Sequence, residues 1–363
     1  MKKNDLIIVI TFILFLIGPN ISYFFLKNKM DLTNYENRNL YTKPTLTYND
    51  ILNYPKNYEN YFNDNLPFKN EIRKIRSQIL YKFGVSANSS VIIGKEGWLF
   101  YNSSSRGDLD NISDYRKTNS YTREEKENIK NNLIETNNYL NEKDIDFYIL
   151  VAPNKENVYS NYLENKITRS NRKNSKTEEL IEYLSKNSQL NIIYPKEILV
   201  KNRKKYNTYY KYDTHWNDFG AYLGTVELMK QIDNNFEVPK VKMSTKVFGG
   251  DLINIGSIYN SLENIEPTIT NFYDDIKIEC KENTEFKECT SNNSVYDKTI
   301  LVVGDSFRNA TVQYLAKLYS KSIFIHKGYY NDDLVGKYNP DIVVYEAVER
   351  YSNTLLNSNI LIK

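Results

Sequence analysis

The sequence predicts an α/β layered fold with a mainly parallel sheet, preceded by an N-terminal transmembrane helix and interrupted by a β-rich insertion. Three observations lead to it. The short runs DFYILVAP (146–153), NIIYP (191–195), TILVVGDS (299–306), SIFIHK (322–327) and DIVVYEAV (341–348) alternate with helix-patterned segments, the arrangement of βαβ units. Several are apolar on consecutive residues, as strands covered on both faces of a parallel sheet are. Residues 6–26 read LIIVITFILFLIGPNISYFFL, 21 residues without a formal charge, close to the roughly 20 needed to cross a bilayer core.

In chain order, residues 1–29 form the expected membrane anchor. The apolar run passes through Tyr23-Phe24-Phe25-Leu26 straight into Lys27 with no small-residue cleavage site, which favours an uncleaved anchor over a removed signal peptide. The five-residue head before it stays in the cytoplasm, so the body is expected outside, as a single-pass cell-membrane protein. Residues 30–118 read as a stalk, helices near 48–63 and 67–83, a hairpin at 91–101 about Gly94-Lys95-Glu96-Gly97, and a polar loop at 102–120. The main domain is expected over 119–353. It opens on a helix with Ile129, Leu133 and Leu140 on one face and Thr122 and Glu125 spaced as a capping box. Further helices are expected at 175–187, 217–234, after Ser306 to about 319, and near 331–337. The β-rich insertion covers 240–297, and 354–363 is a tail.

With 40% hydrophobic and 26% charged residues among 363, the chain has the material for a sizeable core and is not a disordered protein. Lys+Arg number 48 against 45 Asp+Glu, and Lys2, Lys3, Lys27 and Lys29 less Asp5 supply the whole excess. The remaining body is neutral and lacks the basic footprint of a nucleic-acid binder, so no nucleic acid is expected. Two histidines, His215 and His326, and two cysteines scattered along the chain argue against a structural zinc site. Cys280 and Cys289 lie close enough in IECKENTEFKEC to staple a short hairpin in an oxidising exterior, or to stand as two buried thiols. Neither has an expected catalytic role.

Ser306 ends the strand-like TILVVGDS and opens a helix. A serine at that turn presents its hydroxyl beyond the carboxyl edge of the sheet, with its own N–H at the positive helix end. Asp213 and His215 are two apart, so in an extended segment they face one cleft. The carboxylate can orient the imidazole, and His215 can act as general base toward Ser306. His326 falls inside a strand and reads as structural, and Trp98 reads as packing of the hairpin.

YDTHWNDFGA (212–221) and VVGDSF (302–307), with YFNDNLPFKNEIRK (61–74), VIIGKEGWLFY (91–101), VAPNKENVY (151–159) and YEAVERY (345–351), resemble the alginate O-acetyltransferase AlgJ/AlgX-like family of the SGNH/GDSL hydrolase superfamily. The resemblance runs from about 58 to 352. It implies an SGNH-hydrolase-like domain with Ser306 as nucleophile, His215 as base and Asp213 as its orienting residue. It implies acetylation of an exopolysaccharide or cell-wall glycan, with a polytopic membrane acyltransferase supplying the acetyl group. No metal or other cofactor is required. Asn154 and Lys155 follow a strand and can reach the same cleft edge to hold an oxyanion or sugar. Arg308, and Tyr351 with Glu346, Glu349 and Arg350, are candidates for substrate contact or for structural hydrogen bonding. The chain ends without the carbohydrate-binding module of the AlgX branch, which makes the anchored AlgJ branch the expected relative. The rival functions are a carbohydrate acetyl esterase with the same three residues and a non-catalytic scaffold of polysaccharide secretion.

Overall fold

The computed structural model describes residues 3–33, 39–106, 110–258, 262–356 and Leu361; most of the expected tail therefore lies outside the described residues. The chain divides into two compact units, Met1–Ala87 with Ser257–Tyr259, and Asn88–Gly256 with Asn260–Lys363.

The first unit is helical, with Lys3–Leu26, Tyr54–Asp64 and Lys69–Lys82 as its long helices. The second of these starts later than expected because Pro55 occupies the first turn, where its missing N–H costs nothing. The expected transmembrane helix is not borne out. Residues 3–26 are helical, yet among the described residues no helix is long and apolar enough to cross a membrane. Gly18-Pro19-Asn20 interrupts the apolar run between residues 6–17 and 21–26.

The second unit opens with the antiparallel hairpin β1 (Val91–Ile93) and β2 (Leu99–Tyr101). Its strands continue as β3 (Asp146–Ala152), β4 (Asn191–Ile193), β5 (Met243–Phe248), β6 (Asn264–Ile269), β7 (Ile278–Glu282), β8 (Phe286–Ser291), β9 (Tyr296–Gly304), β10 (Tyr319–His326) and β11 (Ile342–Val348). Seven of them form one sheet in the order β4-β3-β11-β9-β10-β8-β7. The first five are parallel neighbours, but β8 runs antiparallel to β10 and β7 antiparallel to β8. The sheet is therefore mixed rather than mainly parallel. The added hairpin comes from the β-rich insertion and covers the β10 edge, whose N–H and C=O groups would otherwise stand open. Cys280 and Cys289 are cross-strand partners in it and form a disulfide.

Alternating residues of the central strands feed two cores. Tyr148, Leu150 and Val302 pack on one face with Leu223, Val226 and Leu315 from helices Asp218–Ile232 and Val312–Leu318. Phe147, Ile149 and Val303 pack on the other with Ile129, Leu133 and Leu180 from helices Arg123–Asn141 and Lys176–Asn187. Both of the latter helices start in capping boxes, Thr122 with Glu125 and Ser175 with Glu178. The result is a sheet between helical layers, with the carboxyl ends of β3, β9 and β11 side by side.

Candidate active site

Ser306 lies two residues beyond β9 and opens a 3-10 turn, Ser306–Thr311, that leads into helix Val312–Leu318. Its neighbours hold the turn. Asp305 Oδ1 accepts from Phe307 N at 2.9 Å, and its Oδ2 accepts from Val348 N at 2.8 Å, tying the turn to the end of β11. The Ser306 side chain is left exposed.

Asp213 and His215 do not face one cleft through an extended segment, as the spacing predicts. Residues 213–215 form a bend, and Asp213 Oδ1 accepts the His215 backbone N–H at 2.9 Å, an Asx-type turn. The same oxygen lies 2.6 Å from His215 Nδ1. The opposite ring nitrogen, Nε2, lies 2.7 Å from Ser306 Oγ. Thus the three residues expected to work together are in hydrogen-bonded sequence. Burial pushes the Asp213 carboxyl up, but His215 and the Asp251 and His215 backbone N–H groups outweigh it and hold the group below its ordinary range.

Trp216 fastens the histidine side to the serine side. It is fully buried, and its indole donates to Phe307 O at 3.0 Å. The Phe307 ring in turn lies 4.8 Å from the His215 ring. The helix that follows is capped by Asn217, whose Oδ1 accepts from Gly220 N at 3.0 Å.

Asp251 escaped the sequence reading and belongs to this constellation. Its backbone N–H donates to Asp213 Oδ2 at 2.8 Å. Its carboxylate accepts from Thr214 N at 2.8 Å and Thr214 Oγ1 at 2.7 Å. Burial and the adjacent Asp213 raise the Asp251 carboxyl above its usual value. The approach requires Gly250, which has φ +152°; a Cβ there would lie 2.1 Å from Tyr212 O. The Gly249-Gly250-Asp251 triplet was the available signal. Asp213, His215 and Asp251 each offer one ligand atom, all within 4.8 Å of one another, and could hold a metal ion. A cation there would compete for the His215 Nδ1 that Asp213 now binds.

The remaining candidates separate. Asn154 follows β3, is 1% exposed, and neither its Oδ1 nor its Nδ2 has a partner. Its backbone N–H donates to Glu349 Oε2 at 2.8 Å. Lys155 does not reach the cleft edge: its ammonium is buried and donates to the carbonyls of Leu99, Lys211 and Asp213 at 2.7, 2.9 and 3.0 Å. It clamps the β1–β2 hairpin to the bend that carries Asp213, and burial pushes it down to about 7. Arg308 donates back to Asp305 O at 2.7 Å and lies in the fields of Glu346 and Asp305. Tyr351 packs under Lys327 and beside Arg350, with centroid distances of 4.3 and 5.2 Å. Glu349 accepts from Asn157 as well as Asn154, so this residue of the YEAVERY block braces the segment that follows β3. His326 accepts from Gly328 N at 3.1 Å, and Trp98 stacks on Tyr159 at 4.3 Å.

No curated protein sequence matches this chain. Two solved structures of Bacillus cereus PatB1, one with a sulfonyl adduct, share the fold. The adduct form is 17% identical with a TM-score of 0.52, covering 77% of this chain and 100% of that one. The other is 17% identical with a TM-score of 0.51, covering 75% and 98%. The O-acetyltransferase domain of Pseudomonas putida AlgJ is 16% identical with a TM-score of 0.47, over 74% of this chain and 93% of that one. The family model described as "ALGX: SGNH hydrolase-like domain, acetyltransferase AlgX" matches residues 91–322, well over half the chain and all of Asp213, His215, Asp251 and Ser306. The chain belongs to this AlgX-type family of SGNH hydrolase-like acetyltransferases.

Proposed function

We propose that this protein is an O-acetyltransferase working outside the cytoplasm, held at the membrane through residues 6–26, that passes an acetyl group through an acyl-serine at Ser306 to a hydroxyl of an exopolysaccharide or cell-wall glycan. The observation that carries the reading is the hydrogen-bonded line Asp213–His215–Ser306, 2.6 and 2.7 Å, ending on an exposed hydroxyl. Ser306 Oγ attacks the donor's carbonyl carbon as its proton passes to His215 Nε2. Asp213 faces the imidazolium that forms. The Ser306 backbone N–H and the Asn154 carboxamide hold the oxyanion; the unpartnered, buried Asn154 side chain supports that role. Collapse expels the leaving group, which takes the proton from His215, and leaves acetyl-Ser306. A glycan hydroxyl then yields its proton to His215 and attacks the acyl carbon, and the proton returns to Ser306.

The acetyl donor is delivered by a polytopic membrane acyltransferase. The Cys280–Cys289 disulfide supports an oxidising, extracytoplasmic setting for the body. Protease treatment of intact cells tests that placement, and full protection of the body refutes it. Exposure of Ser306 favours one second reading, an acetyl esterase in which water takes the place of the glycan hydroxyl. Intact-mass measurement with an acetyl-ester donor decides between them. An acetyl adduct lost on Ser306→Ala and discharged faster by added oligosaccharide supports transfer; discharge indifferent to every glycan tried supports hydrolysis, and no adduct at all sinks both.

A further inference from the structure

Helix Lys69–Lys82 of the first unit carries an apolar stripe that is exposed among the described residues. Ile72, Ile75 and Ile79 are 50, 57 and 51% exposed, and Phe83 at its C-cap is 78% exposed. Their spacing of three and four residues sets them in one row on the helix surface. Buried Ser77 lies on the opposite side, so the stripe is not the face by which this helix packs. Exposed Arg76 and Lys82 flank the row on either edge, and residues 69–82 hold five basic residues against one acidic. An apolar row bordered by cations fits the interface of an anionic bilayer, where isoleucine and phenylalanine enter the acyl boundary and the cations meet headgroups.

A second observation places this helix beside the other apolar element of the same unit. The segment leaving helix Lys3–Leu26 is bonded to the first turn of Lys69–Lys82. Asp31 N donates to Glu71 Oε1 at 2.7 Å, and Asn70 Nδ2 donates to the carbonyls of Asp31 and Thr33 at 2.7 and 3.0 Å. Tyr23 of the apolar helix lines the same cavity as Leu66 and Arg73. We propose that helix Lys69–Lys82 docks on an anionic lipid surface through Ile72, Ile75, Ile79 and Phe83, with Arg76 and Lys82 holding the headgroups.

The test uses the full-length protein in phosphatidylcholine vesicles with and without phosphatidylglycerol. Both native cysteines are engaged in the disulfide, so a single thiol introduced by Ile75→Cys, or by Lys74→Cys away from the stripe, takes an environment-sensitive fluorophore. Brominated lipid is expected to quench the label at 75 strongly and the label at 74 weakly. Arg76→Gln and Lys82→Gln are each expected to lower the docked-to-free ratio roughly fivefold in anionic vesicles, and salt to do the same. Equal quenching at 74 and 75 overturns the proposal, as does quenching at 75 that ignores anionic lipid. A blue-shifted label at 75 that brominated lipid cannot reach also overturns it, because the stripe is then covered by protein.

Discussion

Gly250→Ala tests how tightly the site depends on the loop that brings Asp251 to Asp213. At φ +152° an L side chain is strained by itself, and the added Cβ would meet Tyr212 O at 2.1 Å, Tyr212 C at 2.4 Å and Asp213 N at 2.8 Å. All three are backbone atoms and cannot rotate away. Restoring a contact of about 3.5 Å requires the two segments to part by more than about 1 Å. Two hydrogen bonds span that gap, Leu252 N to Tyr212 O at 3.1 Å and Asp251 N to Asp213 Oδ2 at 2.8 Å. Displacing Asp213 carries His215 with it, and a 1 Å shift would take the 2.7 Å contact with Ser306 Oγ out of hydrogen-bonding range. A misplacement of that size costs on the order of 100-fold in rate. The assay is kcat/KM with an acetyl-ester donor, normalised to the folded fraction from a circular-dichroism melt. A Gly250→Ala protein that keeps wild-type kcat/KM per folded molecule refutes the claim that this loop positions the histidine.

The two histidines give a paired control: His215→Ala is expected to lower acyl transfer by roughly 10³-fold or more, while His326→Ala leaves turnover within about twofold and shifts only the melting temperature. Lys155→Met is expected to destabilise the fold by several kcal/mol, since three carbonyls, two of them buried, lose their shared donor; a denaturant titration measures it. Glu156 tests the pH dependence of stability. Burial raises its carboxyl to about 7 from an ordinary 4.5. Its contribution is complete below about 4.5 and is lost as pH rises through about 7, because the folded chain holds a proton that the unfolded chain has released. Glu156→Gln, which can still accept from Asn111, is expected to flatten the stability profile over that window in melts at pH 5 and pH 8.

Much of the scaffold is written locally. Thr122-Glu125 and the apolar run at 146–153 are short-range signals, and each became the expected element. What escaped is long-range or polar. Strand β7, Ile278–Glu282, is exposed along most of its length and carries little hydrophobic signal, so its addition antiparallel to the sheet could not be seen. Asp251 reaches Asp213 from 38 residues away, across a distance that no local pattern records. Lys155 misled because lysine ordinarily belongs at the surface, whereas here three carbonyls hold it inside. The Asp213–His215 spacing indicated the right pair by a different geometry, since an Asx-type turn, rather than a pleat, joins them.

The seat of Trp216 has a cost written into the helix above it. Gly224 lies in the interior of Asp218–Ile232, where glycine is worth about 1 kcal/mol less than alanine. A methyl group there would sit 2.9 Å from the indole ring. Alanine would make a better isolated helix and a worse enzyme scaffold, because the indole that bonds to Phe307 O needs that space. Attempts to raise the melting temperature by filling helix glycines with alanine should therefore spare this position, where local helix strength has been given up so that two distant stretches of chain move as one body.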